Sequence, residues 1–459
     1  MWENYKALVF WGLFFLLVPP GIFLALANRW WERFFLFITI FFTCRASASI
    51  HFFSHEHYRG TSRGFELTIV DITLLILLMV LFFRKEYKLT LLPPGTFLYW
   101  LYLLISVISI VNADVALYSW FEVLKMVRMY FCYWIFFNYF QNIERINLVL
   151  KFFGVVIVTV FLVGFDQKYF GGQFQIRSTF DHQNSLAMYI AVLGPICCSM
   201  LLNSRTSGWN YVIVLLLFAM CSALEIFTLS RGGMACYGIG LLTTFILTFL
   251  TGFNSRKVIF TVAAIILLVL FLMYSLKTVM NRIENAPVNS KLTRYRLAHA
   301  ARNMANDEFF GVGLNNFYLK VNPPYHYNTE RPKGRNFDEG LVETTYLMIA
   351  AETGWLNLGV FLMYIGLFYA KNLLNVIRYR HRDELFLAIG LAGGMTAIFV
   401  QSSLEWVLKQ TCNFYQLMII FAIIAAMSAI YRREQHAAAN HDESAPALPE
   451  SEADPATPA

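Results

Sequence analysis

Four groups of charged residues in this chain lie inside apolar runs or at their ends, where charge is costly and marks function by default. Arg231 lies in Thr228-Leu-Ser-Arg-Gly-Gly233, between two apolar runs with almost no intervening loop. Its guanidinium must stay at a membrane interface, and Gly232-Gly233 let another group approach the backbone closely. An arginine there offers a planar fork that matches a phosphate, or it snorkels to lipid headgroups. Arg177, in Gln175-Ile-Arg-Ser-Thr-Phe-Asp-His-Gln-Asn184, stands at the same kind of boundary. His182 in that segment reads as a base or as a structural hydrogen-bonding residue at a helix start. Glu122, Lys125 and Arg128 share one helical stripe. They read as an internal ion-pair set that orients the helix, or as a polar lining for a headgroup or glycan. Glu343 precedes Thr344-Thr-Tyr-Leu347, with Glu352 about two turns on. Asp71, inside an apolar run, is expected to pair with another helix.

The elements that position these residues are membrane helices. Hydrophobic residues make up 58% of the 459 residues and charged residues 14%, and the mean hydropathy is +0.54. Apolar runs long enough to cross a bilayer are expected near 6–27, 30–45, 66–83, 95–112, 116–140, 146–165, 184–202, 208–229, 232–252, 257–276, 345–370, 384–404 and 412–430. This is an all-α, polytopic bundle of 12 or 13 spans. Pro19-Pro20 interrupts the first, and the second is short. Residues 277–342 form one long polar loop in which Leu292, Tyr295, Ala298, Ala301, Arg302 and Met304 fall at helical spacing before Gly311-Val-Gly313 stops the helix. The chain thus divides into N-terminal spans (1–276), the long loop (277–342), C-terminal spans (343–431) and a tail (432–459). The tail, rich in Ala, Pro, Glu and Ser at 436–459, is expected to be disordered.

Basic short loops at 84–88, 145–151, 203–207, 253–257 and 371–383 all fall on one side when the spans alternate, as does the tail. That side is expected to be cytoplasmic. The long loop then lies outside, together with the loop at 166–183, the connection at 230–232 and the turn at 405–412. The net charge of +7 sits mostly in the cytoplasmic loops and carries no nucleic-acid footprint. Seven cysteines have no metal or redox spacing and read as small apolar filler. No removable signal peptide and no internal repeat are read.

Several segments resemble the O-antigen ligase and Wzy-type polymerase superfamily of bacterial membrane glycosyltransferases. They are Arg177-Ser-Thr-Phe-Asp-His-Gln-Asn-Ser-Leu-Ala187, Thr228-Leu-Ser-Arg-Gly-Gly233, Arg294-Tyr-Arg-Leu-Ala-His-Ala-Ala-Arg302 running into Gly311-Val-Gly-Leu-Asn-Asn-Phe317, and Glu343-Thr-Thr-Tyr-Leu-Met-Ile-Ala-Ala-Glu-Thr-Gly354. The resemblance covers roughly 165–370. The segment Tyr58-Arg-Gly-Thr-Ser-Arg-Gly-Phe-Glu66 is similar to exopolysaccharide-associated members. The resemblance implies transfer of a glycan from undecaprenyl pyrophosphate to an acceptor hydroxyl, on a glycan or a lipid, outside the bacterial inner membrane. It implies no cofactor: neither nucleotide sugar, ATP nor metal. Arg177 and Arg231 match family arginines that hold the pyrophosphate, and Arg294 and Arg296 are candidates to add charge. Glu343-Thr344 stands where ligases commonly carry His-Asn. Glu343 thus takes the place of the proposed base, or orients the acceptor; a glutamate can do that proton chemistry if burial raises its pKa. The replacement favours a polymerase over a ligase. Glu339, Asp338 and His326 are the alternative bases, Glu339 also a supporting residue. Expected partners are the lipid-linked oligosaccharide, the acceptor, the bilayer and a chain-length regulator or other assembly protein. The rival classes are a small-anion, bicarbonate-like transporter and a silent scaffold of a polysaccharide complex.

Cysteines placed at Asn328 and Ala447 test the orientation. In cells with a permeable outer membrane, an impermeant thiol reagent should label position 328 and spare 447; the reverse pattern would invert the topology.

Overall fold

The computed structural model describes residues 2–55, 57–263, 288–323, 327 and 340–443. The inner part of the expected span 257–276, the loop residues His326, Asp338 and Glu339, and the tail from 444 lie outside the described residues. The chain is an all-α membrane bundle, built from α1 (Trp2–Ala27), α2 (Arg29–Phe42), α3 (Ile69–Phe83), α4 (Thr96–Ile108), α5 (Ala116–Tyr139), α6 (Ile143–Tyr169), α7 (Gln183–Asn203), α8 (Gly208–Thr228) and α9 (Arg231–Leu250). The loop helices α10 (Val288–Asp307) and α11 (Phe317–Val321) follow, then α12 (Thr345–Arg378), α13 (Leu385–Gln401) and α14 (Thr411–Glu443).

Among the described residues seven helices are long and apolar enough to cross a membrane: α1, α6, α7, α8, α9, α12 and α14. The expected 12 or 13 also include the span 257–276, largely outside the described residues, and the short α2. Helices α3, α4 and α13 are apolar but short, and α5 carries Glu122, Lys125 and Arg128 on buried positions. Pro19 and Pro20 do not break α1; membrane helices tolerate such residues. Helix α14 continues through 432–443, where a disordered tail is expected; Ala437, Ala438 and Ala439 are strong helix formers. Between α2 and α3 the sequence reading assigns no strand, yet β1 (Ser49–Phe52) pairs antiparallel with β2 (Phe65–Thr68).

Helices α7 and α14 form the centre, with 94% and 89% of their apolar windows buried, against 28% and 33% for α8 and α9. Close packing at the centre uses small residues. A Cβ at Gly393 would stand 2.6 Å from Gly240 O, and one at Gly390 2.6 Å from Ile196 Cα. The basic short loops collect at one end of the bundle. Arg205 pairs with Asp383 at 3.1 Å, Arg145 with Glu86 at 3.2 Å, and Arg433 donates to Gln141 at 3.1 Å. The hairpin, the long loop and the 402–410 turn occupy the other end.

The long loop is anchored through a break in α12. Gly354 has φ 86° and ψ 162°, a conformation essentially confined to glycine. The break frees carbonyls, and Val312 N donates to Ala351 O at 2.9 Å and Gly313 N to Glu352 O at 3.1 Å. Gly311 (φ 70°) and Gly354 face each other's strands of backbone: a Cβ on Gly354 would lie 2.0 Å from Phe309 O, and one on Gly311 2.4 Å from Thr353 N.

Gly354→Ala should therefore cost about 1–3 kcal/mol in backbone strain, with the clash in addition. Gly359→Ala in the same helix meets nothing within 4 Å and should be neutral or mildly stabilising. Apparent Tm values of the two detergent-purified variants check this; equal values would remove the docking role of the break.

Candidate active site

The turn from Ser402 to Glu405 is where the polar end of the bundle converges. Ser402 O accepts from Thr345 N at 2.9 Å and from Thr344 Oγ1 at 3.3 Å, and Thr345 Oγ1 donates to Glu405 O at 2.9 Å. Gln401 Nε2 donates to Asn184 O at 3.2 Å. A Cβ on Gly232 would stand 3.6 Å from Leu404 Cδ1, and one on Gly233 2.6 Å from the Ala187 Cβ. The N-terminal ends of α7, α9 and α12 thus meet at one turn. Helix N-termini present unsatisfied N–H groups and the positive end of the helix dipole, which favours anions.

Three charged side chains from separate parts of the chain join here. Arg294 Nε pairs with Glu343, and Arg294 Nη2 lies 3.6 Å from Glu405 Oε1. Asn184 also hydrogen-bonds Glu405. The Glu343 side chain is 34% exposed and that of Glu405 11%. Burial and then the Glu343 carboxylate raise the Glu405 pKa, Arg294 and Asn184 oppose the rise, and the net value is about 7. Burial raises Glu343 as well, with Arg294 holding it down. A carboxyl pair whose pKa values are both raised, braced by one guanidinium, is suited to taking or giving a proton.

Of the two boundary arginines, Arg231 adjoins Gly232, which faces Leu404 of the turn, and Arg177 lies in the segment that leads into α7. Arg231 is exposed at the first position of α9, after a turn in which Leu229 adopts φ 51° and Ser230 Oγ accepts from Gly233 N at 3.1 Å. Arg177 is exposed, and its Nη1 donates to Asp181 O at 3.4 Å. Its segment is held by Gln167, whose Oε1 accepts from Arg177 N at 3.2 Å and whose Nε2 donates to Ser178 O at 2.9 Å. His182 Nδ1 accepts from Asn184 N at 3.2 Å, capping α7. Arg296 is buried, with its Nη2 3.3 Å from Thr293 Oγ1.

Glu122, Lys125 and Arg128 lie deeper, in two buried ion networks. Lys125 pairs with Glu122 at 2.7 Å, and Lys409 bridges Glu122 at 3.6 Å and Glu352 at 3.0 Å. Arg128 pairs with Asp71 and, at 3.2 Å, with Glu66. Sequence reasoning missed Glu405 and Lys409 as members of these clusters. The available signal was two charges in a short turn between apolar helices, the same signal that drew attention to Arg231.

Residues 216–362 match the family described as O-antigen ligase. The match runs from α8 into α12 and contains Arg231, Arg294 and Glu343, while Arg177 and Glu405 lie outside it. The resemblance to the ligase and Wzy-type superfamily is thereby borne out, and the matched family implies a membrane enzyme of the glycosyltransferase type and a lipid-linked glycan substrate. No curated protein matches the chain significantly. The matched segment supplies one carboxylate and the arginine of the cluster; the 402–405 turn beyond it supplies the other carboxylate.

A carboxyl whose folded pKa is raised binds a proton that the unfolded chain releases. The folded state therefore loses stability as pH rises from the ordinary glutamate value towards about 7. Apparent Tm should fall across that window, and Glu405→Gln should flatten the slope. An unchanged slope in Glu405→Gln would show that Glu405 does not titrate there.

Proposed function

We propose that the protein transfers a glycan from an undecaprenyl-pyrophosphate donor to an acceptor hydroxyl at the periplasmic face of the inner membrane, polymerising polysaccharide repeat units. The observation that carries this reading is the Arg294–Glu343–Glu405 cluster beside the α9 N-terminus that bears Arg231. The donor pyrophosphate is held by Arg177 and Arg231, with the N-terminal ends of α7 and α9 adding favourable dipoles. The acceptor oxygen attacks the anomeric carbon in line, opposite the leaving group, and inverts it. Its proton passes to Glu343, the more exposed carboxylate. Glu405 keeps the proton affinity of the pair high through like-charge repulsion. The anomeric C–O bond breaks, and the electron pair leaves on the pyrophosphate, where the guanidiniums stabilise the developing charge. Arg294 fixes both carboxylates. Glu343 in place of the ligase histidine favours polymerisation over transfer to a lipid or protein acceptor.

Purified protein in liposomes with lipid-linked repeat units tests the reading. Wild type should lengthen chains, and uptake of bicarbonate without chain growth would favour a carrier instead. Arg231→Ala should lose nearly all activity, with little recovery in Arg231→Lys, since lysine keeps the charge and loses the fork. Glu343→Gln should insert normally, bind donor, and turn over at least roughly a hundredfold slower. Wild-type turnover in Glu343→Gln would reduce the residue to an orienting group, and full activity in Arg231→Ala would remove the phosphate clamp.

A further inference from the structure

A cavity of about 500 Å³ opens at the same end of the bundle, between the β1–β2 hairpin and the stretch Trp406–Tyr415. Its volume is within the range of small-molecule sites. The walls mix chemistry in an unusual way for a membrane protein. Arg45 and Arg63, both exposed, stand against the carboxylates of Glu66 and Asp181, with the half-buried Trp406 ring as an aromatic face. His51 lines it too: its Nε2 lies 3.3 Å from Ser49 Oγ, while Nδ1 is shielded from solvent with no hydrogen-bond partner among the described residues.

The mixture selects among ligands. An acyl chain gains nothing from walls carrying four charged side chains. A bare phosphate would meet two carboxylates as well as two guanidiniums. A sugar fits: its hydroxyls donate and accept, and its C–H faces are apolar and lie on an aromatic ring. The acceptors are pre-set, since Glu66 is held by Arg128 at 3.2 Å and by Thr411. The cavity is linked to the candidate active site through the chain. Trp406 follows Glu405, and Asp181 O accepts from Arg177. The hairpin side lies outside the matched segment, so this wall is built by the chain's own N-terminal part.

We propose that this cavity is a saccharide subsite, seating the terminal sugar residues of the acceptor glycan so that a hydroxyl reaches the Glu343–Glu405 pair. The proposal rests on the glycosyltransfer reading above. In it Trp406 is the stacking platform, and Arg45 and Arg63 hold hydroxyls at the rim.

The test uses the full chain in lipid nanodiscs. The probe is the repeat-unit oligosaccharide freed from its lipid by mild acid, with binding read by ligand-observed NMR titration and with KM and kcat measured in parallel. Trp406→Leu should bind roughly tenfold more weakly and raise the acceptor KM, while Trp406→Phe should keep most of the affinity. The Arg45→Ala/Arg63→Ala double variant, altered only at exposed positions, should also bind more weakly and decides the matter alone if Trp406→Leu fails to fold. Wild-type affinity and KM in the double variant and in a folded Trp406→Leu would overturn the subsite and leave the transfer reading standing. Binding with the expected pattern but no chain growth from lipid-linked donor would keep the saccharide site and overturn the transfer reading. Competition by orthophosphate at the same site would make it an anion site and overturn the proposal.

Discussion

The buried ammonium of Lys409 ties together the parts of the chain that the polar end needs. It reaches Glu352 of α12 at 3.0 Å and Glu122 of α5 at 3.6 Å, and Glu122 also pairs with Lys125 at 2.7 Å. All four side chains are buried. Charges taken out of water must be paired with good geometry or they destabilise strongly, so these helices have little freedom to shift. Thr61 and Ser62 donate to Glu122, linking the hairpin region to the same carboxylate. Asn315 completes the link from the long loop, accepting from Thr61 N at 2.8 Å and donating to Tyr118 O at 2.8 Å. One network thus joins the N-terminal hairpin, α5, the loop, α12 and the final turn.

The candidate active-site cluster follows from that anchoring. Arg294 comes from a loop helix, Glu343 from the re-entry into α12, and Glu405 from the turn before α14. Each of these segments is also held by residues distant in sequence. The loop is held by the α12 break at Gly354, and the 402–405 turn by Thr344 and Thr345. Glu352 belongs to both supports: its side chain pairs with Lys409 and its carbonyl accepts from Gly313 N. The same residues that pin the loop therefore fix the distance between carboxylates and guanidinium. General acid–base work needs that positioning, because a proton acceptor is effective only within hydrogen-bond reach.

The charge arrangement also separates two jobs by depth. The buried pairs are closed ion networks that hold helices in place. The cluster nearer the surface leaves Arg177 and Arg231 exposed and one carboxylate about one-third exposed. A substrate can reach the second set and not the first. The cavity behind the hairpin has one wall, Glu66, fixed by the deeper Arg128 pair.

Much of this was legible in the sequence. Apolar run length placed the helices, since a helix that crosses a bilayer must satisfy its backbone internally over a fixed length. Helical spacing across 292–304 and the glycines at 311 and 313 announced the loop helix and its stop, because periodicity and backbone freedom are local properties. Arg177, Arg231 and Glu343 drew attention because charge at a membrane boundary is expensive wherever the chain goes. Tertiary structure alone decided the partners. Nothing local says that Lys409 meets Glu122 or that Arg294 meets Glu405, since those contacts depend on how helices order around one another. The hairpin escaped notice for the same reason: its two strands are short, and their pairing is set by the α2 and α3 ends that bring them together. Length and periodicity are written residue by residue, whereas the pairing of distant charges is a property of the packed bundle.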